Sequence, residues 1–186
     1  LNSFIKYATV PIINMESATA HPLQALTDAI TISELAENKK PKVVLSWAPH
    51  PKALPQAVAN SFVEMMQNLD LDFTITHPKG YELNSEITQN VAINYDQSGA
   101  VKDADFVYVK NWSSYNDYGK ILNQDEEWMM TKEKLGEAKF MHCLPVRRNV
   151  VVEDAVLDSD QSVVIQQANN RTYAAQVVLK QLLENL

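Results

Sequence analysis

Short β-branched apolar segments alternate with longer stretches of helical periodicity, and this alternation constrains the chain more than any other feature. Residues 42–48 (KVVLSWA), 72–76, 91–95, 105–109, 139–143 and 161–165 read as strands. Residues 22–37, 55–69, 82–89 and 169–186 read as helices, 98–104 as one or two helical turns, and 125–135 as containing helical material. Residues 8–13 suit a short strand or a loop, and 111–120 (NWSSYNDYGK) a loop. Strands this short between such helices form βαβ units with right-handed crossovers. The expected fold class is α/β: a three-layer α/β/α arrangement with a mainly parallel, Rossmann-like sheet. Ligands of such sheets sit beyond the carboxyl ends of the strands. Four polar segments fall at those ends, 47–52, 77–80, 110–119 and 142–148.

Side-chain spacing assigns faces to the longer helices. Leu23, Leu26, Ala29, Ile30 and Leu35 form the apolar set of the first, with Pro22 in its first turn, Ser17 or Thr19 as cap and Asn38-Lys39-Lys40-Pro41 as stop. Val58, Phe62, Met65, Met66 and Leu69 do the same for 55–69. Ala174, Val177, Val178, Leu182 and Leu183 mark one side of the closing helix.

A chain of 186 residues, 46% hydrophobic, is long enough for a real core. Its formal charge of -7 disfavours a basic nucleic-acid domain, yet a cleft can still focus positive charge locally. No apolar run approaches the roughly 20 residues that cross a bilayer, and no signal peptide is visible. The single cysteine, Cys143, cannot form an internal disulfide and suits a reducing compartment. Dinucleotide, P-loop, HExxH, CxxC and GxSxG patterns are absent, and the four histidines are scattered, so neither a cofactor nor a metal is expected. The chain opens on Leu1 rather than Met, which suggests a fragment or residues missing upstream.

Several constellations could carry chemistry. His142-Cys143-Leu144-Pro145-Val146-Arg147-Arg148 places an imidazole, a thiol and two guanidiniums at a strand end, a combination suited to a small anion. A buried cysteine, a core histidine and one solvated arginine would account for the same residues. His21 and Gln24 stand three apart at a helix start, where free N–H groups favour anions; a turn and cap would explain them equally. Asn170-Arg171 reads as another helix opening, with Arg171 adding charge to the free N–H groups or simply facing solvent. Lys110-Asn111-Trp112, and Trp47 with the prolines of 49–55, could line one substrate slot or pack over an edge.

At these residues the chain resembles the aspartate/ornithine carbamoyltransferase family, most closely its N-acylornithine branch. HPLQ at 21–24 is similar to the family's HPxQ, HCLP at 142–145 to its HCLP, and NNR at 169–171 to the ENR-like start of its last helix. SWAPHPKALPQAVANSF at 46–62, KNWSSY at 110–115 and the extended HCLPVRRN look like the N-acetyl- and N-succinylornithine enzymes. The ordinary ornithine enzyme's DxxxSMG loop and its GD…NN pattern are absent, which implies an acylated substrate. Val151 stands where some acetylornithine enzymes are expected to carry lysine, which leans toward succinylornithine.

The resemblance covers essentially the whole chain, as the family's second, amino-acid-binding domain. It implies a linking segment and interdomain helix over 1–38, the α/β domain over 39–168 and a carboxyl-terminal interdomain helix over 169–186. The Ser-Thr-Arg-Thr phosphate motif of the family's other domain occurs nowhere in the chain, so the isolated polypeptide is expected to be inactive. The implied reaction moves the carbamoyl group of carbamoyl phosphate to the δ-amine of N-succinyl-L-ornithine or N-acetyl-L-ornithine, in arginine biosynthesis, without a cofactor. By resemblance, His21, Gln24 and Arg171 are catalytic. Glu16, Trp47, Pro49, His50, Lys110, Cys143, Leu144 and Arg147 bind substrate. The family's enzymes imply a cytoplasmic homotrimer with neither nucleic-acid nor membrane partners. A carbamoyltransferase for ornithine or another amino acid, and a non-catalytic small-anion-binding domain of the same fold, remain as alternatives.

Overall fold

A computed structural model describes residues 1–185. Five strands form one sheet: β1 (Lys42–Trp47), β2 (Asp72–Thr76), β3 (Ala92–Asn94), β4 (Phe106–Lys110) and β5 (Lys139–Met141). Their order is β3-β2-β1-β4-β5, and every pairing is parallel. The helices are α1 (Asn2–Ile5), α2 (Pro22–Leu35), α3 (Ala57–Met66), α4 (Ser85–Thr88), α5 (Gln97–Val101), α6 (Lys132–Leu135), α7 (Asp154–Leu157) and α8 (Val164–Glu184).

The pleat sends alternate side chains into two cores. Val43, Leu45 and Trp47 of β1 join Phe106 and Tyr108 of β4 against Phe62 and Met66 of α3 and Ile32 of α2. Val44, Val107, Val109 and Phe140 face the other way, onto Val101 of α5, Leu135 of α6 and Val156 of α7. The expected α/β/α layering follows from these two clusters. Each large apolar side chain so buried contributes roughly 1.5–3 kcal/mol before the entropy of ordering it. Among the described residues no helix is long and apolar enough to cross a membrane.

Several local expectations need correction. The strand expected over 161–165 shrinks to one bridge between Ser162 and Phe140, and α8 begins at Val164 rather than at 169. Phe140 N–H donates to Gln161 O at 2.8 Å and Val163 N–H to Phe140 O at 3.0 Å, after which the chain coils into the helix. Residues 8–13 take the loop form, the second of the two they suited, and α7 lies where the periodicity marks no helix. On α2, only Ala29 of the expected apolar set is buried, whereas Gln24, Thr27, Asp28 and Thr31 are. The helix is flanked by α3 and α8, and its polar face meets polar partners there: Asn170 Nδ2 donates to Thr31 Oγ1 at 3.0 Å. On α8, Ala174 is buried but Val177 and Leu183 are 53% and 62% exposed. The expected helix end at Leu186 lies outside the described residues.

Candidate functional site

The strand order reverses between β1 and β4, because the chain runs outward through β2 and β3 before crossing back. Such a reversal leaves a crevice between the diverging connections. A cleft of about 660 Å³ lies there, beyond the carboxyl ends of β1, β4 and β5. Glu16, His21, Gln24, His50, Lys110, Cys143, Leu144, Arg147 and Arg171 all line it, so nine of the eleven expected site residues converge on one cavity.

His21 caps α2 with its backbone rather than its side chain, and Pro22 follows in the first turn. Its N–H donates to Ser61 Oγ of α3 at 2.8 Å, which sets the direction of the helix start. Neither Ser17 nor Thr19 caps the helix. Ser17 Oγ instead donates to Ala20 O at 3.2 Å, and Thr19 O accepts from Asn60 Nδ2 at 3.1 Å. The His21 ring is buried, and Nδ1 has no partner among the described residues. Burial holds this imidazole below the usual histidine range; Glu16 opposes that shift, while Arg171 and Lys110 reinforce it.

The wall after β5 is a braced turn. His142 N–H donates to Gln167 Oε1 of α8 at 3.0 Å, and Leu144 N–H donates to His142 Nδ1 at 2.9 Å. Leu144 takes a φ of +53°, a left-handed conformation that costs a leucine on the order of 1 kcal/mol. Burial first, then Lys110 and the neighbouring His50 ring, press the His142 pKa down to about 3. His142 therefore acts as a neutral acceptor that shapes the loop, and not as a proton shuttle. Cys143 sits on the cleft wall with its thiol pushed up in pKa by burial, which is the opposite of nucleophile activation. Cys143→Ser is expected to lower kcat/KM by less than about tenfold, or 1.4 kcal/mol. Near-total loss in a folded C143S protein would instead assign the sulfur a covalent role.

Arg147 and Arg148, neighbours in sequence, diverge. Arg147 Nε donates to His50 Nε2 at 3.2 Å across the cleft. The other ring nitrogen, Nδ1, lies 2.9 Å from Lys52 O and accepts from Lys52 N–H at 3.0 Å, so both ring nitrogens of His50 are engaged within the chain. Arg148 points away and pairs with Asp154 at 2.8 Å and Asp158 at 2.7 Å, so the second guanidinium of the expected pair is a surface brace. Arg171 lies in the third turn of α8, whose free N–H groups are at Val164 and the residues just after it. It therefore does not supplement a helix start, as its sequence position suggested. Its guanidinium has neither a hydrogen bond nor an ion pair within the chain among the described residues. Lys52, Lys110, Arg147 and Arg171 face the cleft against one carboxylate, Glu16, so an acidic chain presents a cationic cavity.

Two expected substrate-binding residues do not reach this cavity. Trp47 is 1% exposed: its Nε1 donates to Trp112 O at 2.9 Å, and its ring packs on Tyr81. Trp112 is equally buried and donates to Tyr81 O at 2.8 Å. A buried indole needs a carbonyl for its N–H, and these two staple the loops beneath the cleft floor. Pro49 lines a smaller side cavity of about 280 Å³ with Pro51, Met129 and Val150, which shares His50 as a lining residue with the main cleft. A larger groove of about 1000 Å³ between α5 and α6 is rimmed by Asp96, Glu126, Glu127, Glu133 and Glu137. Of the two lysines that line it, Lys134 is already bonded to Gln97 Oε1 and to the carbonyls of Glu127 and Met129.

Sequence reasoning missed Lys134's role and, behind the cleft, Asp28 and Gln167. Asp28 is fully buried, and its Oδ1 accepts from Gln24 Nε2 at 2.7 Å and from Gln167 Nε2 at 2.6 Å. The available signal was the i, i+4 spacing of Gln24 and Asp28 on a helix start. Burial raises the Asp28 carboxyl to about 7 from its ordinary 3.8, against the opposing hydrogen bonds from Gln167 and Gln24. Between these two values the folded chain keeps a proton that the unfolded chain has lost. Stability contributed by this group is therefore present at the acid end and falls as pH rises toward 7. Asp28→Asn, which has no proton to lose, is expected to remove that fall. Urea unfolding at pH 5 and pH 8 measures it, and parallel losses in both proteins would contradict it.

The chain matches the family model described as aspartate/ornithine carbamoyltransferase, Asp/Orn binding domain, over residues 55–182. It is 52% identical over 191 residues to the N-succinylornithine carbamoyltransferase of Bacteroides thetaiotaomicron, covering 100% of this chain and 60% of that one. It is 34% identical over 206 residues to the N-acetylornithine carbamoyltransferase of Xylella fastidiosa strain Temecula1, covering 98% of this chain and 61% of that one. The fold is similar to the crystal structure of a variant N-acetyl-L-ornithine transcarbamylase complexed with carbamyl phosphate and N-succinyl-L-norvaline. The TM-score is 0.89 at 32% identity, covering 98% of this chain and 62% of that chain. The chain thus spans about 60% of the length of the curated relatives it matches.

Proposed function

The chain belongs to the aspartate/ornithine carbamoyltransferase family, and from that premise we propose that it is the amino-acid-binding part of an N-acylornithine carbamoyltransferase. One observation carries the proposal. His21 and Gln24 of one helix start and Arg171 of another helix meet His50, Lys110 and Arg147 in a single cationic cleft at the sheet's reversal point. Such a cavity suits two anionic substrates.

In the proposed reaction the uncharged δ-amine attacks the carbonyl carbon of carbamoyl phosphate. A C–N bond forms, negative charge gathers on the carbonyl oxygen, the C–O bond to phosphorus breaks, and the amine's proton leaves with inorganic phosphate. Arg171 and the neutral His21 supply donors for the developing oxyanion, preorganised in a partly dehydrated wall. Lys110 and Arg147 hold the carboxylate end of the acylated amino acid, His50 braces Arg147, and Glu16 borders the same space. Fixing two substrates in one cleft supplies a large further share of the rate.

The succinyl rather than the acetyl substrate is favoured by the 52% against 34% identities and by the surplus of cations available to a second carboxylate. The phosphate-binding equipment is assigned to a part of the protein outside this chain. Homotrimeric assembly, a cytoplasmic location and a place in arginine biosynthesis accompany the family resemblance, and the lone thiol fits a reducing compartment. The test is carbamoyl transfer by protein carrying both halves, offered N-succinylornithine, N-acetylornithine and ornithine. Absence of transfer to any of them would overturn the assignment.

A further inference from the structure

Asp28 lies behind the cleft and touches no part of its surface, yet it links three of the cleft's walls. Gln24 of α2 lines the cavity, and its Nε2 donates to Asp28 Oδ1 at 2.7 Å. Gln167 of α8 donates to the same oxygen at 2.6 Å, and Gln167 Oε1 accepts the N–H of His142, next to Cys143 and Leu144 on the cavity wall. Gln167 spends its oxygen on a backbone N–H, so its nitrogen faces Asp28, and an ionised carboxylate only accepts, so the Gln24 nitrogen faces it too. That fixes which end of the Gln24 amide is left over. Its Oε1 is buried and has no partner among the described residues. An unmet acceptor in a ligand cleft is costly unless the ligand brings a donor.

We propose that Asp28 is a positioning residue, which turns the Gln24 nitrogen inward and reserves the Gln24 oxygen for an N–H donor on the ligand. The proposal rests on the carbamoyltransferase assignment, under which that donor is the NH₂ of the carbamoyl group. Without Asp28 the Gln24 amide is free to flip, and the site loses its means of telling a carbamoyl NH₂ from a methyl. The groups facing Asp28 are Gln24 on its own helix, Gln167 of α8, the Tyr108 hydroxyl of β4 and the Cys143 thiol after β5, with Arg171 acting at longer range. The hydroxyl of Tyr108 and Asp28 Oδ2 carry no hydrogen bond of their own among the described residues.

Acetyl phosphate has the shape of carbamoyl phosphate but no N–H donor, so it is the probe. In protein carrying both halves, the ratio of the acetyl phosphate inhibition constant to the carbamoyl phosphate KM is measured for wild type, Asp28→Ala and Asp28→Asn. We expect D28A to lower that ratio about tenfold or more, with little change in KM for the acylornithine. D28N keeps an acceptor oxygen in place and is expected to restore most of the ratio. Asp28→Leu, which fills the volume without an acceptor, takes the place of D28A if the smaller side chain prevents folding. An unmoved ratio in D28A or D28L, or equal damage by D28N to the KM of both substrates, would overturn the positioning role while wild-type turnover stands. Wild-type protein without carbamoyl transfer would overturn the functional assignment itself, and this inference with it.

Discussion

Free ornithine is expected to be a poorer acceptor than N-succinylornithine by up to about 10⁴-fold in kcat/KM, compared at one carbamoyl phosphate concentration. The two molecules differ at the α-nitrogen, an ammonium in one and a neutral amide in the other. Around the cleft stand Lys52, Lys110, Arg147 and Arg171, with Glu16 as the one carboxylate among its lining residues. An α-ammonium entering there would lose water, approach cations and find at most one counter-charge. A buried unpaired charge costs several kcal/mol, and a like charge about 4 Å away costs a comparable amount at an intermediate dielectric. An amide avoids both, and the succinyl carboxylate turns the same cations into partners. Because Trp47 and Trp112 lie in the core, this discrimination rests on charge and not on aromatic walls. Equal or better use of ornithine would overturn the acylornithine assignment. A preference for N-acetylornithine would reverse only the choice of acyl group.

Arg171→Ala is expected to lower kcat/KM about a hundredfold, by ~3 kcal/mol, while leaving stability nearly unchanged. The two effects separate because of where the side chain lies. Arg171 is exposed on α8, projects into the cleft and forms no ion pair within the chain among the described residues. Removing it breaks no internal contact of that kind, so the stability change belongs with surface substitutions, within about 0.5 kcal/mol. Its loss would be felt only where negative charge develops on the substrate. Steady-state kinetics paired with urea unfolding of the same protein reads both quantities. Near-normal kinetics in folded R171A would rule out an oxyanion role, and a large stability loss would make the arginine a structural brace.

Much of the architecture was legible from periodicity, because a parallel strand buried on both faces must be short, apolar and β-branched. Residues 42–48 and 105–109 carried that signature, and they became the central strands β1 and β4. Less was legible wherever a segment's fate depended on its neighbours. Residues 161–165 have the composition of a strand, but only Ser162 finds a partner before α8 takes the chain. The apolar stripe of α2 pointed to one face, and the position of α8 led the helix to bury Asp28 and Thr31 on another.

The sequence by itself determined the α/β class, the strand ends that carry polar segments and, through HPLQ, HCLP and NNR, the residues that gather in the cleft. Those properties are local: they follow from side-chain type and spacing along one element. Tertiary structure alone decided which of two adjacent arginines faces the cavity, that both tryptophans serve the core, and that Arg171 projects from within a helix. It also decided that one buried carboxylate ties α2 to α8 and to the turn after β5. The contact from Gln167 to Asp28 joins residues 139 positions apart. Neither residue's own surroundings in sequence specify such a contact, because its energy exists only after the sheet has brought the two helices side by side.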